Sequence, residues 1–578
     1  MSRWRLLFLL AFFVMFSLFL VAQQSPWRLA PPNPEFSRFF QATGSSTPAQ
    51  AESHPGLAGL VPSPLDLSHL LAPATPAVFP RRFDLRGTGR LPLIRDQDGY
   101  PACQAFATMG MLESMLLPQE KLDLSEWHIY RYHGFDFHNE YGDYTGGNWQ
   151  MNAAYLLRWS GPVGEEDSPY GSGDDPDALQ LPPVKHIQNM RFFAPRRDAL
   201  DNAEIKQFLM AQGPFYVSIF YDSSSYNSST ASHYYSGEPN ANHGVLVVGW
   251  DDDYNRNRFL QIPPENGAFI LRNSWGGQYG DGGYFYMSYY DTGFMPRIGV
   301  PRVEEADNYG LVYQYDPLGV ISFLGGVSSH AWGCNVFSAR EAGELTAVGF
   351  YLMDSNSAYT IRVYRRLAGE SPETGRLYLE QQGTWPHAGF ITVPLEAGVP
   401  LAQDERFAVA VHFQTPGTRY PIPVEYPING YSSPATASPG QSFVSLNGEG
   451  WHDLTGILAD SNVCIKGYSA YSTPVQASIS ARLLHSAGWI LSYPYVSVDV
   501  SVDFAGVAVE SVAVYRRDDT FGTRKVMEIP VAELAEGAVE WLDTSVSTGR
   551  DYAYQVRCFG PGGRFRGRSG WSTVEVVQ

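Results

Sequence analysis

Between residue 81 and about residue 300, apolar residues recur first at helical spacing and then at strand spacing. Phe106, Met109 and Leu112 lie on one face of a predicted helix. The predicted helices cover residues 103–117, 147–159 and 203–213. The predicted strands cover residues 215–221, 244–250, 268–275 and 283–289. Helices that precede strands in this way favour a two-lobed α+β domain.

The rest of the chain is predicted to be all-β. Between residues 308 and 470, β-branched or alternating runs are separated by Gly, Pro, Asn and Ser turns, which favours a sandwich. These runs cover residues 344–354, 359–366, 405–413 and 461–469. Residues 475–578 contain two more alternating runs, 511–518 and 551–559. The Tyr-x-Tyr-x-Val pattern at 552–556 resembles the tyrosine corner of fibronectin type III domains, which implies a third, smaller β domain.

Length and composition agree with several globular domains. The 578 residues correspond to about three or four domains at roughly 100–200 residues each. Hydrophobic residues make up 44% and charged residues 17%, so several cores can be buried and global disorder is excluded. The net charge is −19 and no Lys/Arg-rich block occurs, so no nucleic acid is expected as a partner.

The N-terminus has the pattern of a targeting segment. Arg3 and Arg5 precede an apolar run from Leu6 to Ala22. The run is long for a cleaved signal, and Leu20 is a poor residue three positions before a cut after Ala22. A cleaved signal peptide and an uncleaved anchor therefore both remain open. In either case the rest of the chain is expected to be secreted, periplasmic or held at the cell surface. Contact with a membrane is expected only through this segment, if it stays uncleaved.

Residues 23–80 contain 11 prolines among Ser, Ala and Gln. This composition predicts a linker or short pro-segment that is extended and poorly packed. Its most apolar part, residues 59–71, is a candidate for docking on the next domain.

The four cysteines are Cys103, Cys334, Cys464 and Cys558. Neither a CxxC pair nor an HExxH motif occurs, so no metal site is expected from these motifs. Cys334 and Cys464 lie in the same β region, where a disulfide and two buried thiols are both open, and Cys558 is expected in a core strand. Calcium binding and a solvated loop are both open for Asp251–Asp253, with the loop favoured.

A lone thiol in an exported domain needs an explanation, and catalysis supplies one. Cys103 opens a predicted helix, where exposed N–H groups favour the thiolate. Gln97 lies six residues before it. The backbone N–H of Cys103 and the side-chain amide of Gln97 form a candidate pair of donors to the oxyanion of acyl transfer.

Two later segments supply a candidate base and its orienting group. His243 stands at the entrance of an apolar predicted strand, and Asn273 follows a second one. Asn273 is predicted to fix the tautomer of His243, and Trp275 to shield their hydrogen bond from water. This is the logic of a Cys-His-Asn triad.

The three segments resemble the papain family of cysteine peptidases. Four further segments carry the same resemblance: LDLSEWHIY at 122–130, YTGGNW at 144–149, GPVGEEDSPYG at 161–171 and GPFYVSIFY at 213–221. The resemblance implies a two-lobed fold with a cleft between the lobes, peptide-bond hydrolysis through an acyl-enzyme, and no cofactor. It also implies that Gly146, Gly147 and Trp275 belong to the substrate-binding site.

The chain departs from the family pattern around the thiol. Gln104 stands where the family has Trp, Pro101 where it has Gly, and Tyr100 where it has a disulfide cysteine. The long helical propeptide of the family is not expected in the Pro-rich residues 23–80. These departures bear on efficiency, specificity and activation, and they remove no catalytic group.

A bacterial subset of the family carries a lectin-like β domain after the peptidase. The segments YQYDPLG at 313–319, AWGCNVFSA at 331–339 and VGFYLMD at 348–354 resemble that domain. The predicted division is 1–22 signal or anchor, 23–80 linker or pro-segment, 81–305 peptidase, 306–470 lectin-like sandwich, and 475–578 fibronectin type III-like domain.

We therefore predict an exported cysteine endopeptidase that acts through a thioester acyl-enzyme on protein or peptide substrates. The β domains are candidates for binding a cell-surface glycan or protein. Two alternatives remain: a catalytically weak or inactive surface binding protein or adhesin, and a transpeptidase that uses the same triad.

Overall fold

The computed structural model describes residues 26–43, 59–71, 78–136, 146–175, 177–470, 476–485, 494–504, 509–518, 522–534, 539–560, 564–569 and 572–576. The apolar run at residues 6–22, predicted to be a signal or anchor, lies outside them. None of the helices in the described ranges is both long and apolar enough to span a membrane.

The first lobe of the peptidase region is built on helices. The helices up to residue 211 are Pro34–Thr43, Cys103–Leu116, Glu126–Tyr132, Trp149–Leu157 and Ala203–Ala211. The first twelve residues of the helix Cys103–Leu116 are all buried, because the lobe surrounds it. The next two helices begin at side-chain caps: Ser125 accepts the His128 N–H, and Asn148 accepts the N–H groups of Gln150 and Met151.

The second lobe is a sheet that continues into the following β domain and is antiparallel except for the parallel pair Tyr284–Ser288 and Ser232–His233. In spatial order its strands are Leu311–Tyr313, Ile465–Ala470, Gly343–Leu352, Gly389–Leu401, Met190–Phe192, Met295–Gly299, Phe215–Ile219, His243–Asp251, Ala268–Arg272, Tyr284–Ser288, Ser232–His233 and Tyr226–Asn227, with Arg82–Asp84 beside His243–Asp251. The domains join where Gly389 pairs with Arg191 and Phe390 with Met190. Their relative position is therefore held by backbone pairing as well as by side chains. A separate two-stranded ribbon pairs Lys185–His186 with Glu304–Glu305.

The middle β domain packs a six-stranded sheet against strands of the large sheet and of a four-stranded sheet. The six strands are, in order, Arg376–Trp385, Ser357–Arg365, Arg406–Gln414, His330–Ser338, Ser442–Ser445 and His452–Asp453. A four-stranded sheet contains Arg28–Leu29, Ser322–Gly325, Ile422–Glu425 and Asn462–Val463. Phe407, Val409 and Val411 alternate into the shared core, as the period of two in a half-buried strand requires.

The C-terminal region forms two further sheets. One contains Gln476–His485, Pro494–Asp503 and Val539–Asp543; the other contains Gly522–Ile529, Ser511–Asp518, Arg550–Gly560 and Arg564–Arg568, with Ser572–Val576 also beside Arg550–Gly560. A short helix, Val531–Leu534, lies between strands. The Ser547 N–H donates to the Tyr552 hydroxyl at 2.9 Å.

The predicted helices and strands of residues 81–470 are confirmed to within a few residues at their ends. The four cysteines are free and buried. Cys334 and Cys464 are therefore two buried thiols and do not form a disulfide. The acidic loop after residue 250 is held by protein cations: Arg81 binds Asp253 and Lys206 binds Asp252. The described residues contain no group of three or more His, Cys, Asp or Glu that could hold a metal.

The prediction that residues 23–80 are extended and poorly packed is wrong for the parts that the structure describes. Residues Pro34–Thr43 form a helix, and Arg28–Leu29 adds a strand to the four-stranded sheet. Trp27 and Phe36 are buried. The prolines fall mostly outside this helix and leave its apolar residues free to pack, so composition alone misjudged the segment.

Candidate active site

Cys103 is the first residue of its helix and is fully buried. The Gly244 N–H donates to the Cys103 sulfur at 3.4 Å, which brings the helix to the strand His243–Asp251. Burial raises the pKa of the Cys103 thiol to about 11, although the N–H groups of Gly244, Gln104 and Cys103 itself lower it. The N–H groups at the helix N-terminus lower the pKa of the thiol as expected, but burial raises the pKa by more.

His243 and Asn273 form a hydrogen-bonded pair beside this thiol. The distance between His243 Nε2 and Asn273 Oδ1 is 2.8 Å, and Oδ1 also accepts the Ser274 N–H at 2.9 Å. An oxygen acceptor at Nε2 requires a proton there, so Nδ1 is the basic nitrogen of the neutral ring. The Trp275 ring stacks on His243 with centroids 4.6 Å apart. The structure thus brings His243, Asn273 and Trp275 together.

Gln97 is fully buried and fixed from both ends of its amide. The Ser274 hydroxyl donates to Gln97 Oε1 at 2.7 Å, and Gln97 Nε2 donates to the Tyr100 carbonyl at 2.9 Å. Gln97 is thereby held in the loop that leads to Cys103.

Gln104 lies under the segment that contains Gly146 and Gly147. Its side chain is buried, and its amide oxygen and nitrogen have no hydrogen-bond partner within the described ranges. A Cβ atom on Gly147 would lie 2.8 Å from Gln104 Nε2, so the two residues are in close contact. Gln104 is therefore part of the wall beside Gly147.

The segment 59–71 covers this cleft. Leu60 forms a parallel bridge with Gly147: the Val61 N–H donates to the Gly147 carbonyl at 3.0 Å, and the Gly147 N–H donates to the Gly59 carbonyl at 2.8 Å. Gly146 has a φ of +132°, and a Cβ atom there would lie 2.2 Å from the Gly59 carbonyl oxygen. Only glycine fits this approach. The buried apolar residues of the segment are Val61, Leu65, Leu67 and Leu70.

A buried charge cluster ties the elements behind Gln97 together. Arg95 contacts Glu113 at 3.1 Å, Glu126 at 2.7 Å and also Asp123. Glu113 lies on the helix of Cys103, and Glu126 begins the next helix. Burial raises the pKa of Glu126 to about 8, against the opposing charge of Arg95. No local sequence pattern signals this cluster, because its members are far apart in the chain.

The raised pKa of Glu126 predicts a pH-dependent contribution to stability. The folded protein holds this proton more tightly than the unfolded chain, whose pKa is near 4.5. The stabilising contribution is therefore complete below about pH 4.5 and is lost as the pH rises through about 8. Glu126→Gln cannot titrate, so the free energy of unfolding of this variant should rise relative to wild type between about pH 5 and about pH 8.5. Urea unfolding of both proteins measures the difference, and an equal offset at both pH values would contradict it.

Sequence reasoning missed several residues that the fold brings to the site. Ser274 anchors Gln97, Gly244 donates to the thiol, and Tyr216 packs beneath Gly244. Ser274 directly follows Asn273, and Gly244 directly follows His243. Their position next to predicted site residues could have indicated that they lie at the site. Tyr216 lies on a different strand and had none.

Two family models match the chain: residues 79–295 match the papain family cysteine protease, and residues 312–469 match the lectin like domain. The chain is similar to the probable cysteine protease RD19B of Arabidopsis thaliana, with 28% identity over 247 residues that cover 40% of this chain and 64% of the relative. Cysteine proteinase 15A of Pisum sativum is 29% identical over 37% of this chain and 59% of the relative. The chain thus spans about three fifths of the length of these relatives.

Among solved structures, the fold is similar to the cysteine protease and lectin-like domains of Cwp84, a surface layer associated protein of Clostridium difficile. The TM-score is 0.65 at 20% identity, covering 77% of this chain and 98% of the other. A second structure, of a variant of the clostridial cysteine protease Cwp84 after propeptide cleavage, has a TM-score of 0.59 at 22% identity, covering 67% and 99%. The predicted order of a papain-like domain and a lectin-like domain is confirmed.

Proposed function

Because residues 79–295 form a papain family cysteine protease domain and residues 312–469 a lectin-like domain, we propose that the protein is an exported cysteine endopeptidase. The observation that carries this proposal is the 2.8 Å contact between His243 and Asn273 beside the buried thiol of Cys103. That arrangement gives a nucleophile, a base and an orienting group side by side.

In the proposed mechanism, His243 Nδ1 takes the proton of the Cys103 thiol, and the resulting thiolate attacks the carbonyl carbon of the scissile bond. The N–H of Cys103 and the side-chain amide of Gln97 are the donors to the oxyanion. His243 protonates the departing amine, which leaves a thioester on Cys103. His243 then takes a proton from water, the hydroxide attacks the thioester, and the acid product and the thiol are released. Asn273 keeps the imidazole in one tautomer, and Gly146 and Gly147 pair with the substrate backbone.

The test is hydrolysis of a peptide library together with labelling by an epoxide thiol inhibitor. We expect the label on Cys103 and hydrolysis that requires this residue. Equal turnover by wild type and Cys103→Ala would overturn the proposal. Release of free acids in the presence of added amines would separate hydrolysis from the transpeptidase alternative.

We also propose that residues 59–71 keep the uncleaved chain latent. They occupy the backbone groups of Gly147 that substrate needs, and Gly59 lies against Pro101, two residues before the buried Cys103. One of the Cwp84 structures is described as following propeptide cleavage. Removal of the segment here would open the cleft to solvent. The pKa of the Cys103 thiol would then fall, because burial is what raises it.

Latency predicts that loosening this segment exposes the thiol. Val61 is 2% exposed, whereas Leu71 in the same segment is 67% exposed. Because an unpaired carboxylate is costly to bury, Val61→Asp should increase the rate of Cys103 labelling in the uncleaved chain about tenfold or more. Leu71→Asp is the matched control and should label at the wild-type rate. Unchanged labelling in Val61→Asp would argue against latency by this segment.

For the other domains, we propose the boundaries 81–305, 306–470 and 475–578. The tyrosine-corner hydrogen bond of Tyr552 and the three- and five-stranded sheets support a fibronectin type III-like domain at the C-terminus. The lectin-like domain is a candidate for binding a cell-surface glycan. An extracytoplasmic location is supported by Cwp84, which is described as surface layer associated.

A further inference from the structure

Arg297 is a half-buried cation in the strand Met295–Gly299. Its Nη2 donates to the Met295 sulfur at 3.0 Å, and its Nε is buried with no hydrogen-bond partner among the residues that the structure describes. Arg297 takes part in none of the ion pairs found within those residues. Burial lowers the pKa of its guanidinium. A half-buried arginine without a carboxylate partner is poorly solvated, so its position favours an anionic partner.

Tyr216 connects Arg297 with the candidate active site. Tyr216 pairs in register with Ile298, next to Arg297. A Cβ atom on Gly244 would lie 2.4 Å from the Tyr216 hydroxyl, and the Gly244 N–H donates to the Cys103 sulfur. Burial raises the pKa of Tyr216, Cys103 adds to this effect, and Arg297 opposes it. Arg297 is thus within electrostatic reach of a phenol that adjoins the active-site strand.

The N-terminal segment brings a carboxylate to the same place. Glu35, on the helix Pro34–Thr43, accepts the Ala241 N–H at 3.3 Å, and Ala241 lies two residues before His243. Burial raises the pKa of Glu35, and the charge of Arg297 is the largest opposing influence. Glu35 therefore approaches Arg297 and the cleft without closing an ion pair with the arginine.

A cavity of about 530 Å³ lies between these groups. The N-terminal segment contributes Glu35, Leu65 and Leu67 to its wall, and the peptidase domain contributes Met295 and Arg297. When the segment leaves, the cavity opens and loses the Glu35 carboxylate. The Arg297 guanidinium then remains in the cavity wall as a donor for a ligand, whereas Arg196 in the same wall is held by Asn202 Oδ1 and the Tyr289 carbonyl.

We propose that Arg297 is the cation of a substrate subsite that selects an acidic side chain. While the N-terminal segment is bound, Glu35 takes the place of that substrate side chain. An aspartate or glutamate of the substrate supplies the carboxylate that the guanidinium lacks. The side chain of Met295, whose sulfur contacts the guanidinium, lies beside the pair and limits its exposure to water. The inference rests on the proposed peptidase function and names its substrate class.

The test uses the full chain after the N-terminal segment has been removed by limited trypsin digestion. Peptides are compared in pairs that differ only by Glu or Gln, with the pair placed in turn at each position on either side of the scissile bond. We expect one position at which Glu raises kcat/KM about 10- to 100-fold over Gln, the range of a charge-assisted hydrogen bond in a dry site. Arg297→Gln should bring this ratio close to one, and Arg297→Lys should retain part of it.

Arg302→Gln is the matched control, because Arg302 is exposed five residues further along the chain. It should keep the wild-type Glu/Gln ratio. A ratio near one at every position in the wild type, or an unchanged ratio in Arg297→Gln, overturns the proposal. Calorimetry with the same Glu/Gln peptide pair and the trypsin-processed Cys103→Ala protein measures the ratio of the two binding affinities in the absence of turnover. Loss of thiol labelling and of all hydrolysis would instead count against the peptidase function itself.

Discussion

Replacing Cys103 with alanine is expected to lower kcat/KM for peptide hydrolysis by about 10⁴-fold or more, because the acyl-enzyme cannot form without the sulfur. Every other group of the site stays in place, including the His243–Asn273 pair. The side chain is small and wholly buried, so the thermal midpoint should change by only a few degrees. Single-turnover and steady-state assays on the processed protein measure the effect.

Cys334→Ala is the control for this substitution. Cys334 is also a fully buried free thiol, but it lies in the strand His330–Ser338 of the β domain. It should leave both hydrolysis and epoxide labelling unchanged. If Cys103→Ala retained the wild-type rate, or if Cys334→Ala lost activity equally, Cys103 would not be the nucleophile.

At about pH 9, where Glu126 with its pKa of about 8 is ionised, Arg95→Met is expected to lower the free energy of unfolding by about 3–5 kcal/mol, the cost of leaving buried carboxylates without their cation. Arg95 contacts Glu113 and Glu126, whose side chains are 1% and 3% exposed. Methionine keeps much of the side-chain volume of arginine. The decrease in the free energy of unfolding therefore measures the lost charge more than lost packing. Urea unfolding followed by tryptophan fluorescence measures it.

Arg81→Met is the matched surface substitution. The ion pair of Arg81 with Asp253 is exposed on both sides, with side chains 75% and 56% accessible. Solvent screens such a pair, so the unfolding midpoint should stay close to that of wild type. Similar losses for both arginines would show that the cluster around Arg95 contributes no more than an exposed pair.

The local pattern of the chain predicted the helices and strands around the site, because apolar periodicity is a short-range signal. It predicted the helix that begins at Cys103 and the strand that begins at His243. It also singled out Asn273 and Trp275, which contact His243 in the structure. Each of these residues sits at or near an element boundary, where a residue that differs from the apolar run beside it is conspicuous.

The packing of the N-terminal segment could not be predicted in the same way. Proline content suggested an extended linker, whereas Trp27 and Phe36 are buried and Leu60 pairs with Gly147. These contacts join residues that are distant in the chain. Composition measures the tendency of a segment to pack by itself, and it contains no information about a groove that another part of the chain provides.

The sequence by itself determined the chemical groups and their local setting: a thiol at a helix start, an imidazole at a strand start, and an amide after the next strand. Only the tertiary structure decided the state of these groups. It buries Cys103 so that its pKa rises to about 11, and it brings Glu35 and Arg297 to one cavity. The physical reason is that solvation and charge pairing depend on what surrounds an atom in space, which the order of residues fixes only through the complete fold.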